Sequence, residues 1–314
     1  MSETKVIAKY LALNKNKEGE ILNILVKDIS NMDFSIWLTE EQSLKLIKGK
    51  VYEFTYEILT KNRGDIPYEY KKFVNAKTVE QLYKIEKVEE ILKHFFDFVV
   101  PIAEIKKSIE GYMKCITNKN LLAITKKIYK KFESRFYLHP AATKVHHAYI
   151  GGLCYHTNSM LRMASSYCNE YPYLDKSLLY AGVILHDIIK IEEIDSENDE
   201  YTISGNLIGH LIGGAIEIDR AAKELKLENS EEALVLKHMI ISHHGQFTYG
   251  SQKKPQVAEA LMLWYLDSID AKFRVLGEVL DKTEAGTYTI SVAVLEKSSF
   301  YKTRFSSKKD KENE

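Results

Sequence analysis

The sequence contains little cysteine, and the cysteines it has are not arranged in pairs. Cys115, Cys154 and Cys168 make an odd count, and no Cys-x-x-Cys spacing occurs. This usage argues against a disulfide framework and against a zinc site built from thiolates. Candidate metal ligands must therefore be sought among the histidines and the carboxylates.

Long apolar runs are also missing. No apolar run approaches the ~20 residues that a membrane-spanning helix needs. Residues 1–5, Met-Ser-Glu-Thr-Lys, lack the apolar core of a signal peptide. We therefore expect a soluble, cytoplasmic protein with no membrane partner.

Net charge is absent as well. The 44 basic residues balance 44 acidic ones, so the whole chain is not an obvious binder of polyanions. Only six of the basic residues are arginine. Lysine contacts phosphate as a point charge and does not read base edges in bidentate fashion. Any nucleic-acid contact is therefore expected to follow the backbone and not the base sequence.

Residues 1–84 have the pattern of a small β domain. Polar turns separate short runs with strand-like composition, and the run 51–59 alternates with a period close to two. Five strands at this spacing suit a small closed barrel such as an OB-fold. A generic β-sandwich or a packing subdomain remains the alternative. The five predicted strands are 6–11, 21–26, 34–38, 51–59 and 72–76.

From residue 85 onward the pattern becomes helical. Val88, Ile91, Leu92 and Phe95 recur at the spacing of one helix face. We expect a helical connector over 85–135 and an all-α helical bundle over 136–285. A C-terminal strand segment and a disordered charged tail are expected over 286–314. The predicted fold class is thus α+β, with a barrel domain followed by a helical domain and a short C-terminal β segment.

His186-Asp187 is the most informative pair of residues in the predicted bundle. It lies in the apolar run 178–190, for which we predict a helix over 175–190. Amphipathicity does not explain the pair, because adjacent residues on a helix point about 100° apart. Both side chains can still reach one ion at the flank of the helix. Imidazole and carboxylate together are ligands for a borderline divalent metal.

Further candidate ligands fall on neighbouring predicted helices. One histidine alone is more often a core or surface residue than a ligand, and we interpret His94 and His139 in that way. Most of the set lies in apolar surroundings, however, where unpaired imidazoles and carboxylates would be costly. A shared metal site would satisfy them together. The candidates are His156, His186, Asp187, His210, His243, His244 and Asp267, with His238 and Asp270 as weaker ones.

The order of these residues resembles that of the HD-domain phosphohydrolases. Four blocks, 136–157, 205–211, 241–245 and 265–272, narrow the resemblance to the YhaM-type 3′-to-5′ exoribonucleases. That family joins an N-terminal OB-fold to an HD domain. The chain departs from it at Ile189, where the usual motif His-Asp-Ile-Gly-Lys has glycine.

The resemblance implies a site with two divalent metals. His156, His186, Asp187 and Asp267 would bind the first metal. Asp187 would bridge to the second, which His210 and either His243 or His244 would hold. Manganese is the first candidate, and iron, cobalt, nickel, zinc and magnesium are alternatives. Two such metals activate a water for in-line attack on a phosphate, so no serine or cysteine nucleophile is needed.

Lys190 and His147 complete the candidate catalytic residues beside Asp187. Lys190 follows His186 by one helical turn and could neutralise charge on the phosphate. A solvated helix end is the equally weighted alternative. His147, with His146, could orient the substrate or support a ligand. The alternative for these two is an ordinary loop histidine.

Two features bear on the substrate. Lys126, Lys127, Lys130 and Lys131 form a basic stripe that could follow a phosphate backbone, although a solvated lysine face is the commoner meaning. Alternating aromatic residues of the β domain could stack bases, but most such residues lie in a core, so about two of the six should be exposed. The six are Trp37, Tyr52, Phe54, Tyr56, Tyr68 and Tyr70.

The leading functional hypothesis is a metal-dependent 3′-to-5′ exoribonuclease. Its substrate would be single-stranded RNA, with single-stranded DNA as an alternative, and a homo-oligomer is left open. A phosphohydrolase or phosphodiesterase of small nucleotides would need the same metals. A nucleic-acid-binding protein with an inert HD domain is the third hypothesis, against which the near-complete ligand set argues.

Overall fold

The computed structural model describes residues 3–15, 22–63, 66–96, 100–142, 150–196, 200–246 and 250–305. The chain divides into two compact units, Met1–Ala103 and Glu104–Glu314. Each unit has its own architecture. Two short helices follow the β strands within the first unit.

The first unit contains a closed five-stranded barrel. Its strands are β1 (Glu3–Lys15), β2 (Leu22–Asp28), β3 (Asp33–Leu38), β4 (Val51–Arg63) and β5 (Ile66–Thr78). They are ordered β1-β2-β3-β5-β4 around the barrel. All neighbouring pairs are antiparallel except β3 and β5, which run parallel. This Greek-key closure is that of an OB-fold, so the predicted barrel is confirmed.

The barrel core follows the alternation along each strand. On β2, Leu22, Ile24 and Val26 are buried, while the residues between them are partly exposed. Phe54 of β4 is fully buried at the centre of the barrel. Helix α1 (Glu40–Ser43) lies between β3 and β4, and α2 (Val79–Leu82) and α3 (Ile85–Leu92) follow the barrel.

The six aromatic candidates for base stacking divide evenly. Tyr52, Phe54 and Tyr56 belong to the hydrophobic core of the barrel. Tyr68 is exposed, and Trp37 and Tyr70 are half-buried with their rings 6.3 Å apart, edge to face. Half of the set is therefore unavailable for stacking on bases.

The second unit is a helical bundle. Its helices are α4 (Ile102–Lys114, which starts at the boundary), α5 (Lys119–Phe136), α6 (Gly152–Glu170), α7 (Lys176–Leu185), α8 (Lys190–Glu193), α9 (Ile203–Leu207), α10 (Gly209–Glu224), α11 (Glu231–Ser242) and α12 (Ala258–Asp281). A two-stranded hairpin, β6 (Ile194–Asp195) with β7 (Glu200–Tyr201), joins α8 to α9. The predicted helical domain is thus confirmed.

Helix α7 lies at the centre of this bundle. It packs against α5, α6, α11 and α12, and every residue from 179 to 185 is buried. The helix ends at Leu185, whereas the sequence pattern predicts it to continue to residue 190. That prediction is wrong because residues 186–189 form turns, so His186-Asp187 follows the helix and does not lie on its flank.

The C-terminal segment pairs only locally. Two isolated bridges, Tyr288 with Tyr301 and Val292 with Ser298, flank a short 3₁₀ helix at Ala293–Leu295. The charged tail 306–314, predicted to be disordered, lies outside the described residues. Within the described part of the chain, none of the helices has both the length and the hydropathy of a membrane span.

We predict that Phe54→Ala weakens the barrel selectively. The change removes a large side chain from a fully buried position, which costs about 3–5 kcal/mol. Hydrogen exchange measured by mass spectrometry should show that the free energy of opening of β1, β2 and β4 is lower by this amount. Tyr68→Ala, on the exposed face of β5, is the matched control and should change this free energy of opening by about 0.5 kcal/mol or less. Equal effects of the two substitutions would contradict this account of the core.

Candidate metal centre

Two histidines of the site lie where helices end. His186 follows α7, and its Nδ1–H donates to the carbonyl of Val183 at 2.8 Å. His243 follows α11, and its Nδ1–H donates to the carbonyl of Ile240 at 2.7 Å. A carbonyl can only accept, so Nδ1 carries a proton, and in the neutral ring the lone pair is on Nε2. Each bond also satisfies a carbonyl of the last helical turn.

Two further histidines are fixed by carboxylates. His156 on α6 donates Nδ1–H to Asp270 Oδ2 at 2.7 Å. His210, at the start of α10, donates Nδ1–H to Glu193 Oε2 at 2.8 Å, and its backbone N–H donates to Oε1 of the same carboxylate at 3.2 Å. These acceptors set the tautomer and the orientation of both rings, as acceptors behind metal-binding histidines do.

The Nε2 atoms of the four histidines converge on Asp187, and those of His156 and His186 also lie 3.3 Å from each other. Its Oδ2 lies 3.3 Å from His186 Nε2 and 3.9 Å from His156 Nε2. Its Oδ1 lies 3.4 Å from His210 Nε2 and 3.6 Å from His243 Nε2. The two oxygens therefore face two different pairs of imidazoles, which is the arrangement expected of a bridging carboxylate.

Two more candidates border this cluster. Asp267 on α12 places Oδ1 at 3.3 Å from His156 Nε2. The ring of His244 lies 5.2 Å from that of His210 and 4.5 Å from that of His243, measured between centroids. Two groups of ligand atoms result, each with its members within 4.8 Å of one another: His156, His186 and Asp187, and His210, His243 and His244.

Buried polar atoms without a hydrogen-bond partner indicate whether a cation fits this cluster. Three buried side-chain atoms, Asp187 Oδ1, His210 Nε2 and His243 Nε2, have no hydrogen-bond partner among the described residues. Leaving such an atom unsatisfied costs about 1–3 kcal/mol. The three lie together, and all can donate a lone pair. A divalent cation would satisfy them at once, so the residues present fit a metal.

The electrostatics keep the centre anionic. Burial raises the pKa of Asp187, but the charge of Lys190 and the contacts with His186 hold that pKa well below its ordinary value. For Asp267, the contact with His156 likewise outweighs burial and lowers the pKa. Burial lowers the pKa of His156, but hydrogen bonds with Asp267 and Asp270 raise it to about 10. Carboxylates that stay ionised at neutral pH are suited to binding cations.

Lys190 is tied to the centre and is not a solvated helix end. Its Nζ lies 2.7 Å from Asp187 Oδ2, and its side chain is only 18% exposed. Burial lowers the pKa of Lys190, but the neighbouring Asp187 carboxylate raises it above the ordinary value. The ammonium group therefore stays charged next to the candidate bridge.

Other candidates lie elsewhere. His147, with His146, lies outside the described residues. The ring of His238 accepts a hydrogen bond from the backbone N–H of Gln256. His139 lies between the carbonyls of Pro140 and Ile194, and His94 is exposed in the first unit. Asp270, a weaker candidate in the sequence, contacts the centre through His156.

The basic stripe on α5 is partly neutralised. Lys127 pairs with Glu224 at 2.6 Å, and Lys131 pairs with Glu217 at 2.6 Å, both on α10. Lys126 and Lys130 are exposed. The pairing favours a structural role for half of the stripe over contact with a phosphate backbone.

Sequence reasoning missed Glu193 and gave no structural role to two glycines that support the site. Glu193 follows Asp187 and Lys190 at a regular spacing of three residues, and that spacing was the available signal. At Gly205, a Cβ would lie 2.2 Å from the carbonyl oxygen of Glu193. Gly245 has φ of +75°, and a Cβ there would lie 2.0 Å from the ring of Trp264. Side chains at these positions would displace the segments that carry Glu193 and His244.

Comparison with known proteins agrees with this geometry. The family model described as "HD domain" matches residues 153–272. The chain is 35% identical to "3′-5′ exoribonuclease YhaM" of Bacillus subtilis (strain 168), over 95% of both chains. It is also 35% identical to the protein of that name from Bacillus licheniformis, over 94% of both chains. The protein of that name from Bacillus velezensis is 42% identical over 66% of both chains.

We predict that Glu193 and Asp270 support different metals. Glu193→Ala frees the ring of His210, and Asp270→Ala frees the ring of His156. Each change should weaken the affinity for one metal by about 10- to 100-fold while the other is retained. Plasma mass spectrometry of protein dialysed against graded Mn²⁺ measures this. Glu192→Ala, which removes an exposed partner of Arg135, is the control. Wild-type affinity in both test variants would contradict the assignment.

Proposed function

The chain belongs to the family of YhaM 3′-5′ exoribonucleases, and on that premise we propose that it shortens RNA from the 3′ end by metal-dependent hydrolysis. The observation that carries this proposal is the convergence of four histidine Nε2 atoms on the two oxygens of Asp187. Such a cluster needs no protein nucleophile to cleave a phosphodiester.

We assign RNA binding and RNA cleavage to two different domains. The barrel domain, residues 1–84, would hold the RNA, and the helical domain, residues 136–285, would cut it. Residues 85–135 would connect the two, and 286–314 would form the terminal segment. Tyr68, exposed on β5, and the half-buried pair Trp37 and Tyr70 are the aromatic residues of the barrel best placed to stack on bases.

We assign two divalent cations to the centre. His156, His186, Asp187 and Asp267 would hold one, and Asp187, His210, His243 and His244 would hold the other. This donor set of imidazoles and carboxylates suits a borderline metal, and manganese is our first choice over iron, cobalt, nickel, zinc and magnesium. When bound, the cations supply a water of lowered pKa and positive charge for the phosphate oxygens.

Asp187 and Lys190 have distinct roles in this proposal. Asp187 presents one oxygen to each group of ligands, so it fixes the separation of the two groups. Lys190 holds Oδ2 of that carboxylate at 2.7 Å. Because its Nζ is engaged by Asp187, we assign Lys190 to positioning this carboxylate and not to direct neutralisation of the phosphate.

The burial of the ligands favours a single strand as substrate. His186, Asp187 and His243 are at most 2% exposed. The side chains of Asp267 and His210 are 21% and 11% exposed, so they mark the accessible side of the centre. An unpaired 3′ end can approach such a recessed centre, whereas the width of a duplex hinders it. Single-stranded DNA meets the same geometric requirement.

We predict that Asp187→Ala abolishes exonuclease activity. The substitution removes the oxygens on which both ligand groups converge. The measurement uses 5′-end-labelled single-stranded RNA with Mn²⁺, resolved on a sequencing gel. Wild-type protein should give a ladder that shortens from the 3′ end, and the variant should leave the RNA intact. Asp281→Asn, at the exposed end of α12, is the control and should retain the ladder.

Other substrates, assayed in parallel, distinguish the alternative functions. A blunt duplex should be degraded much more slowly than the single strand, and a DNA oligonucleotide tests the sugar preference. Intact RNA together with hydrolysis of mononucleotides would support a phosphohydrolase of small nucleotides instead. Absence of turnover in metal-loaded wild-type protein would support a binding protein with an inert HD domain and would overturn the proposal.

A further inference from the structure

The apolar surface of helix α12 extends well beyond the face that the helix buries. Its inner face packs into the bundle through Ala260, Leu263 and Leu266, and the ligand Asp267 lies on that same side. A helix turns about 100° per residue, so positions 258, 262, 265, 269 and 273 form an outer face that borders the inner face at Leu266 and points away from Asp267. The residues there are Ala258, Met262, Tyr265, Ile269 and Phe273. The apolar stripe of α12 is therefore wider than the part that packs in the bundle.

The outer face of α12 forms a cavity together with the end of α6. The cavity has a volume of about 440 Å³ and is lined by Tyr167, Tyr171, Tyr173, Leu261, Met262 and Tyr265, among others. Its lining residues are uncharged. A site for a phosphate backbone needs basic side chains, so this cavity lacks the chemistry that nucleic acid requires.

Several side chains at this cavity are well exposed. Tyr173 is 74% exposed, Tyr265 48%, Leu261 40% and Tyr171 39%. Phe273, one helical turn beyond Ile269 on the same face, is 66% exposed. We call these five residues the outer tyrosine face. Their exposed area is roughly 600 Å², because a buried aromatic side chain covers about 150–250 Å².

This area is at the upper end of what the largest apolar patch of a monomer ordinarily exposes, which is about 300–600 Å². Contiguous apolar patches of this size mark interaction sites. A standard interface buries about 800 Å² on each partner, of which this face would form the apolar centre. The face also combines a largely exposed ring, Tyr173, with a cavity that has room for the ring of a second copy. A twofold axis would let each copy insert Tyr173 at the cavity of the other.

We propose that the outer tyrosine face binds a second copy of this chain across a twofold axis. The chain has equal numbers of acidic and basic residues, so two copies meet without net charge repulsion. The face lies on the side of α12 opposite Asp267, so a dimer leaves the metal centre accessible. The proposal is independent of the exonuclease activity.

Sedimentation velocity of the full chain at 1–50 µM (about the range of a moderate Kd) tests this proposal. Wild-type protein should sediment at twice the chain mass of 36.2 kDa. Tyr173→Lys and Phe273→Lys should each weaken dimerisation at least about tenfold, since each would bury an unpaired charge in the interface between the two copies. Ile203→Lys, at a position 82% exposed on α9, is the control and should dimerise like the wild type.

Metal content and circular dichroism are measured on the same samples. A monomeric variant with wild-type metal content and helicity supports the proposal, because the loss then concerns the face and not the fold. A wild-type protein that sediments at the mass of one chain overturns it. So does a dimer that both lysine substitutions leave at wild-type affinity.

Discussion

The structure of the site depends on how the histidine Nδ1 atoms are held. In His156, His186, His210 and His243, an acceptor on the protein binds Nδ1–H, and this contact turns Nε2 of each ring towards Asp187. Two acceptors are carbonyls at helix ends, and two are the carboxylates of Asp270 and Glu193. Ligand geometry therefore follows from where α7 and α11 stop and from which acidic residues lie behind α6 and α10. Packing of the bundle around α7 brings these points together.

Much of the fold could be predicted from local patterns. Alternation and turn residues indicated the strands of the first unit, and periodicity indicated the helices of the second. The order β1-β2-β3-β5-β4 could not be obtained in that way, since closure depends on pairing between β1 and β4 and between β3 and β5, which are distant in sequence. The aromatic residues show the same limit. A period of two indicates that Tyr52, Phe54 and Tyr56 share one face of a strand, but only the closure of the barrel decides whether that face is the core.

The seven candidate ligands were predictable by residue type, but their geometry was not. The apolar run 178–190 continues past His186 without a helix-breaking residue, so nothing local marks the end of α7 at Leu185. That end is stabilised by the bond from His186 to Val183 and by the contact of Lys190 with Asp187. Glu193 was overlooked because a single carboxylate near a helix end has many ordinary uses. Its role emerges only when the turn into α10 brings His210 against it.

The central claim is that Asp187 Oδ1, His210 Nε2 and His243 Nε2, buried without partners among the described residues, are ligands of one cation. Anomalous diffraction from crystals grown with Mn²⁺ tests it most directly. The account predicts an anomalous peak about 2.0–2.3 Å from each of these three atoms. Metal-loaded crystals with anomalous peaks elsewhere, and none within bonding distance of these atoms, would contradict it.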